Sequence, residues 1–174
     1  MLNSVDIHRS EAPSSVRCMI ITVSDTRTPE TDTSGALIKE LMESSGYEIT
    51  DYRIVVDSYA GIQGVIREGL NNPSVEAILL NGGTGIALRD TTYEAVRDLL
   101  DKEMQGFGEI FRYLSFMEDI GTAAILSRAI AGVCSSKAIF SMPGSTGAVK
   151  LATTRIIIPE LRHVMREIYK DLKS

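Results

Sequence analysis

The segment Leu79-Leu80-Asn81-Gly82-Gly83-Thr84-Gly85-Ile86-Ala87-Leu88-Arg89-Asp90 decides how the rest of the chain is read. An apolar run that begins at Val75 (VEAILLN, 75–81) stops there in three glycines and a threonine. A short continuous apolar run bounded by glycine has the pattern of a strand covered on both faces, as in a parallel sheet. The glycines then fall at the strand's carboxyl end, where open α/β sheets form their ligand crevice.

Upstream, VRCMIITVS (16–24) has the same buried, β-branched character and ends in the polar loop SDTRTPETDTSG. Leu37, Ile38, Leu41 and Met42 then recur at helical spacing, with Thr33 or Ser34 as N-cap and Gly46 as the stop. YEITDYRIVVD (47–57) reads as a second strand running into Asp57. A helix over 60–71 carries Ile62, Val65, Ile66 and Leu70 on one face and is stopped by Asn71-Asn72-Pro73. The order β-α-β-α-β favours right-handed crossovers. The expected fold is α/β: three layers, a mostly parallel doubly wound sheet with helices on both faces. Downstream, helical patterns cover about 92–104, 107–118 and 121–132. KAIFSM (137–142) returns to strand, and a last helix starts near Gly147 and is bent or restarted at Pro159.

The decisive stretch has an echo. VEAILLN ends in Gly82-Gly83-Thr84-Gly85, and KAIFSM ends, after Pro143, in Gly144-Ser145-Thr146-Gly147. Glycine removes the side chain that would block close approach of backbone N–H groups to a phosphate, and the hydroxyls add hydrogen bonds. The pattern is neither a Walker loop, because Gly-Lys-Ser/Thr is absent, nor a full GxGxxG fingerprint. A lone glycine turn is equally compatible with either loop; two of them at strand ends favour a ligand.

Asp57 and Asp90 fall at the same edge. Asp90 reads either as the N-cap of a helix starting near Thr91 or as a functional acid, and Asp57 either as a solvated turn or as its companion. Two carboxylates beside phosphate loops suit magnesium or an N–H-rich heterocycle. Ser24 and Asp25 end the first strand and face the same edge, with capping sufficient to explain Ser34. Lys150 and Arg89 are candidate cations for phosphate, with ordinary surface exposure as the alternative. His8 and His163 lack partners at metal or triad spacing, and Ser141 lies outside any G-x-S-x-G elbow.

The bulk numbers agree. A chain of 174 residues with 44% hydrophobic content buries one substantial core. The domain plan is a loose arm over 1–15 followed by a single domain over 16–174. A net charge of −5 argues against a nucleic-acid or anionic-membrane surface. Cys18 and Cys134 lack disulfide or zinc spacing, and no apolar run reaches membrane-spanning length, so a cytoplasmic setting is expected.

The motifs TVSDTR, NGGTGIALRDTTYEAV, GFGEIFR and FSMPGSTGAVKLA, in that order from about Val16 to about Leu161, resemble the MogA/MoaB family of molybdenum cofactor biosynthesis proteins. EDIGTAAILSRA and MPGSTGAVKLA are more similar to the MoaB branch. The resemblance implies a molybdopterin-binding fold, usually a homotrimer or a homohexamer built as a dimer of trimers. It implies a nucleotidyltransferase in which Mg-ATP and molybdopterin give adenylyl-molybdopterin and pyrophosphate before a molybdenum-insertion partner acts. It carries the required acids to Asp57 and Asp90, with magnesium between them, and the phosphate and nucleotide contacts to Gly82–Gly85 and Pro143–Gly147. The rival expectation is a non-catalytic pterin- or nucleotide-binding oligomer of the same pathway; competence-damage and gephyrin-type scaffolds rank last, because their extra domains are missing.

Overall fold

Successive residues of a strand point to opposite faces, so a strand buried on both sides needs two alternating sets of apolar side chains. In the computed structural model, which describes residues 14–170 and 172, β1 (Arg17–Val23) does this. Cys18 and Ile20 enter one core, and Met19, Ile21 and Val23 the other. β3 (Ala77–Asn81) divides the same way, Ala77 and Leu79 against Ile78 and Leu80. Each fully buried Leu or Ile in these strands contributes about 1.5–3 kcal/mol through apolar area removed from water.

Two helical layers cover these faces. The first comprises α1 (Thr33–Ser44), α4 (Gln105–Glu118), α5 (Thr146–Ala152) and α6 (Ile158–Tyr169). On the other face lie α2 (Tyr59–Asn71) and the short α3 (Thr92–Arg97). The sheet order is β2-β1-β3-β6-β5-β4, with β2 at Glu48–Val55, β4 at Lys102–Glu103, β5 at Ile130–Cys134 and β6 at Lys137–Met142. β2, β1, β3 and β6 run parallel, as expected of a doubly wound sheet. β4 and β5 pair antiparallel and complete a mixed sheet.

Three local readings change. The helix expected over 92–104 ends at Arg97, and Lys102–Glu103 pair with β5 instead. The helix expected over 121–132 is a 3₁₀ turn at Gly121–Leu126 followed by β5. The apolar spacing of TAAILSRAIAGV fits a helix, but pairing with β6 satisfies the backbone across the sheet and overrides that local preference. At Pro159 the last helix does restart: a π segment, Thr153–Ile157, precedes α6, with Pro159 in its first turn. A proline there cannot donate to the carbonyl four residues back, and the wider turn relieves that mismatch.

The loose arm expected over 1–15 lies outside the described residues apart from Ser14 and Ser15, and His8 lies outside them too. Cys18 and Cys134 are buried free thiols. Burial pushes the Cys18 thiol up to about 12, which leaves it unreactive near neutrality. No helix among the described residues is long and apolar enough to cross a membrane.

Candidate functional site

The register brings four strand ends to one level. Val23 pairs with Val55, Thr22 with Asn81, and Asn81 with Met142. The loops that follow therefore leave from one edge: Ser24 and Asp25 after β1, Asp57 after β2, Gly82–Gly85 after β3, and Pro143–Gly147 after β6. This convergence follows directly from parallel pairing, which is why the sequence already disclosed it.

The two glycine loops touch. Gly82 has φ +97°, and a Cβ there would lie 2.3 Å from the carbonyl oxygen of Val23, so the chain turns out of β3 only with glycine. Its N–H donates to Met142 O at 3.1 Å. A Cβ on Gly144 would come within 3.1 Å of Gly82 Cα. The first turn of α1 joins them, because the Ser34 hydroxyl donates to Gly144 O at 2.7 Å. Ser34 is thus not the cap of α1. Asp32 is, accepting from Gly35 N at 2.9 Å while the Tyr52 hydroxyl bonds its other oxygen.

Asp57 is half-buried rather than a solvated turn. Its Oδ1 accepts from the N–H of Thr91 at 3.3 Å and from the Thr91 hydroxyl at 3.2 Å, so it satisfies the start of α3 from another strand. Its own N–H donates to Asp25 Oδ1 at 2.9 Å. Burial raises the Asp57 carboxyl above its ordinary range; the Thr91 bonds oppose this, and the nearby Asp90 and Asp25 charges reinforce it.

Asp90 does not cap α3 either. The N-cap is Thr91, which makes no side-chain cap bond. Asp90 Oδ2 instead accepts from Ala87 N at 3.0 Å, and Asp90 N donates to Ala87 O at 2.9 Å, closing a turn within the loop. Arg89 reaches Asp25 Oδ2 at 3.5 Å with its side chain 76% exposed, a geometry that adds little stability.

The other expected residues divide. Thr84 is buried, whereas Gly144, Ser145, Thr146, Gly147 and Lys150 are exposed and Pro143 is half-buried. The Ser145 hydroxyl accepts from Ala148 N at 3.2 Å and caps α5. A cleft of about 590 Å³ runs beside Ser24 and Asp25. Another of about 560 Å³ lies beside Asp90 and Thr91. Gly147 and Lys150 line a third, of about 410 Å³, shared with Glu118, Asp119 and Arg155. Asp57 links the first two through Asp25 and Thr91. Among the described residues, no group of three or more His, Cys, Asp or Glu side chains could hold a metal ion.

One residue at this edge carried no site assignment from the sequence. Arg128 donates from Nε to Gly85 O at 2.9 Å and from a terminal nitrogen to Asp90 O at 2.9 Å, and pairs with Glu94. Its guanidinium lies 5.2 Å from the Tyr93 ring centroid. Arg128 lies in the motif EDIGTAAILSRA, but nothing local gave it a role, because its partners are 34 to 43 positions away.

Residues 19–163 match the family described as "Probable molybdopterin binding domain". The chain is 73% identical over 168 residues to molybdenum cofactor biosynthesis protein B of Halalkalibacterium halodurans, covering 97% of this chain and 99% of that protein. It is 57% identical to the Bacillus subtilis protein of the same name, with the same coverage. A crystal structure of a molybdenum cofactor biosynthesis protein B, 52% identical, superposes with a TM-score of 0.89 over 92% of this chain and 99% of that one.

Proposed function

The chain belongs to the molybdopterin-binding family of molybdenum cofactor biosynthesis proteins, and from that premise we propose that it binds molybdopterin and adenylylates it with Mg-ATP, releasing pyrophosphate. The observation that carries this reading is the contact of the two Gly-x-Thr-Gly loops, Gly82 against Gly144, beside the half-buried Asp57.

Adenylyl transfer joins two anions, so its catalyst must hold them together and offset their charge. A phosphate oxygen of molybdopterin attacks the α-phosphorus of ATP, and the bond from that phosphorus to the pyrophosphate oxygen breaks. The attacking oxygen is already anionic, so no general base is required. The backbone of the glycine loops receives the phosphates, and Lys150 and Arg89 supply positive charge.

The carboxylates fit magnesium brought in with a polyphosphate rather than a resident ion. Mg²⁺ takes one or two protein carboxylates and fills its octahedron with water and substrate oxygens, and Asp57 and Asp90 offer that number. When bound, the ion offsets charge on the polyphosphate. Asp57 and Asp90 would hold it.

Self-association to a trimer or hexamer belongs to the same proposal. Ile110, Tyr113, Phe116, Met117 and Ile120 on and just after α4 are each about half exposed or more. Their spacing puts them on one side of the helix, an apolar surface larger than scattered residues would make. Light scattering should give a particle several times the 19.0 kDa chain mass; a monomer at micromolar concentration overturns this part.

Incubation with Mg-ATP and molybdopterin tests the chemistry. Adenylyl-molybdopterin and pyrophosphate, detected by mass spectrometry and a coupled assay, are the expected products. Binding of both ligands without either product would make the protein a non-catalytic carrier that hands pterin to a molybdenum-insertion partner.

A further inference from the structure

We propose that Arg128 is the positioning residue that latches the Gly82–Asp90 loop in its ligand-receiving form, a role that rests on the ligand function proposed above for that loop. Three fixed donors of one guanidinium meet three acceptors that the loop and its following helix bring together. Nε bonds Gly85 O and one terminal nitrogen bonds Asp90 O, each at 2.9 Å, while the other terminal nitrogen pairs with Glu94 in the first turn of α3. The loop is therefore held near its middle and at its carboxyl end by a single planar group.

Without that group, two carbonyl oxygens and a carboxylate would face one another with nothing positive between them. Beyond the Gly82 N–H to Met142 O bond at its start and the exposed Arg89–Asp25 pair, the loop makes few bonds: Ala87 N to Asp90 Oδ2, Asp90 N to Ala87 O, and Thr92 N to Gly83 O at 3.1 Å. Ile86 contributes little packing and Leu88 none, being 69% and 101% exposed. Arg128 itself is well supported, three-quarters buried and lying against the Tyr93 ring.

The reversal of β5 explains how the arginine reaches this edge. β5 is antiparallel to β6, with Ile130 opposite Ser141, so its first residue lies beside the carboxyl end of β6. Arg128, two residues earlier, enters from the ligand edge. A parallel strand in that place would have started at the opposite edge and delivered its preceding residues there.

Hydrogen exchange and calorimetry on Arg128→Gln test the latch. Losing bonds to a charged group should speed exchange at the Ala87 and Asp90 amides by about ten- to a hundredfold, with β3 and β6 amides unchanged. Titration with Mg-ATP should show binding at least about tenfold weaker, and Arg128→Lys, which keeps the charge but not the planar fork, should recover part of it. In turnover the loss should fall on KM more than on kcat. Wild-type exchange in the loop of Arg128→Gln overturns the proposal, as does equal acceleration in β3 and β6, which would make Arg128 a brace of the whole fold. If the loop loosens but wild-type protein binds neither Mg-ATP nor molybdopterin, the latch stands and the ligand reading of the loop falls.

Discussion

At the amino ends of the parallel strands, charge is matched to charge. Glu76, just before β3, receives the Arg17 N–H at 2.9 Å, the Arg17 guanidinium at 3.2 Å and the Tyr169 hydroxyl at 3.1 Å. Lys137, the first residue of β6, donates to Gly69 O at 3.1 Å and Asn72 O at 2.5 Å. At the carboxyl ends, Asp25 and Asp90 stand close enough to Asp57 to disfavour its ionisation. Their cation, Arg89, is mostly in solvent. One edge resolves its electrostatics internally; the other leaves an excess of negative charge that only something cationic would offset.

Removing a carboxylate should thus have opposite consequences at the two edges. The largest effect is expected from Asp57→Asn, which should lower adenylyl-molybdopterin formation by about a hundredfold or more while the melting temperature holds or rises. Wild-type turnover would take Asp57 out of the chemistry and erase the contrast. Glu76→Ala should do the reverse, costing about 1–3 kcal/mol in urea unfolding, with ligand binding intact.

The pH dependence sharpens the comparison. Burial alone would raise Glu76, but the Arg17 N–H, the Arg17 side chain and Tyr169 together bring it below its ordinary value of 4.5. Its contribution to stability is complete above that value and is lost as pH falls through its folded one. Asp57 is raised above 3.8, so its ionisation opposes folding, and stability falls as pH climbs from 3.8 through the raised folded value. Unfolding midpoints measured from about pH 3 to pH 7 should show Glu76→Gln flattening the acid limb and Asp57→Asn removing the decline. Parallel profiles for the two variants would refute the contrast.

The smallest effect belongs to the turn between β5 and β6, where Ser135 and Ser136 have φ of 50° and 60°. Left-handed backbone is unfavourable for serine, and Ser136→Gly should stabilise by a few tenths to about 1 kcal/mol in the same assay. Destabilisation would show that the serine side chain supports the turn.

The parallel half of the fold was legible because VRCMIITVS, VEAILLN and KAIFSM are continuous apolar runs with glycine or polar stops, and those runs locate their own carboxyl ends. The convergence of their following loops on one edge was legible for the same reason. β5 was not: Ile130-Ala131-Gly132-Val133-Cys134 has strand character only once β4 and β6 flank it, and residues 121–129 before it repeat apolar groups at helical intervals. Asp90 read either as a cap or as a functional acid, and Ser34 as one of two candidate caps, because local chain position favours capping; their partners, Ala87 N and Gly144 O, depend on how the loop closes and how β6 docks. Arg128 was hidden with β5, since its place beside the Gly82–Asp90 loop depends on that strand's direction.

The brevity of β4 bears on how the sheet meets other chains. Only Lys102 and Glu103 extend the ladder on that side, and both are exposed and charged. An incoming strand would find room for little more than one pair of backbone bonds, beside side chains that stay hydrated at a cost to any dry interface. The far border, β2, is eight residues long but sets Asp51 and Arg53, paired at 2.8 Å, along its length. Both borders thus discourage fibrous growth, so a concentrated solution of the folded protein should remain free of cross-β aggregates.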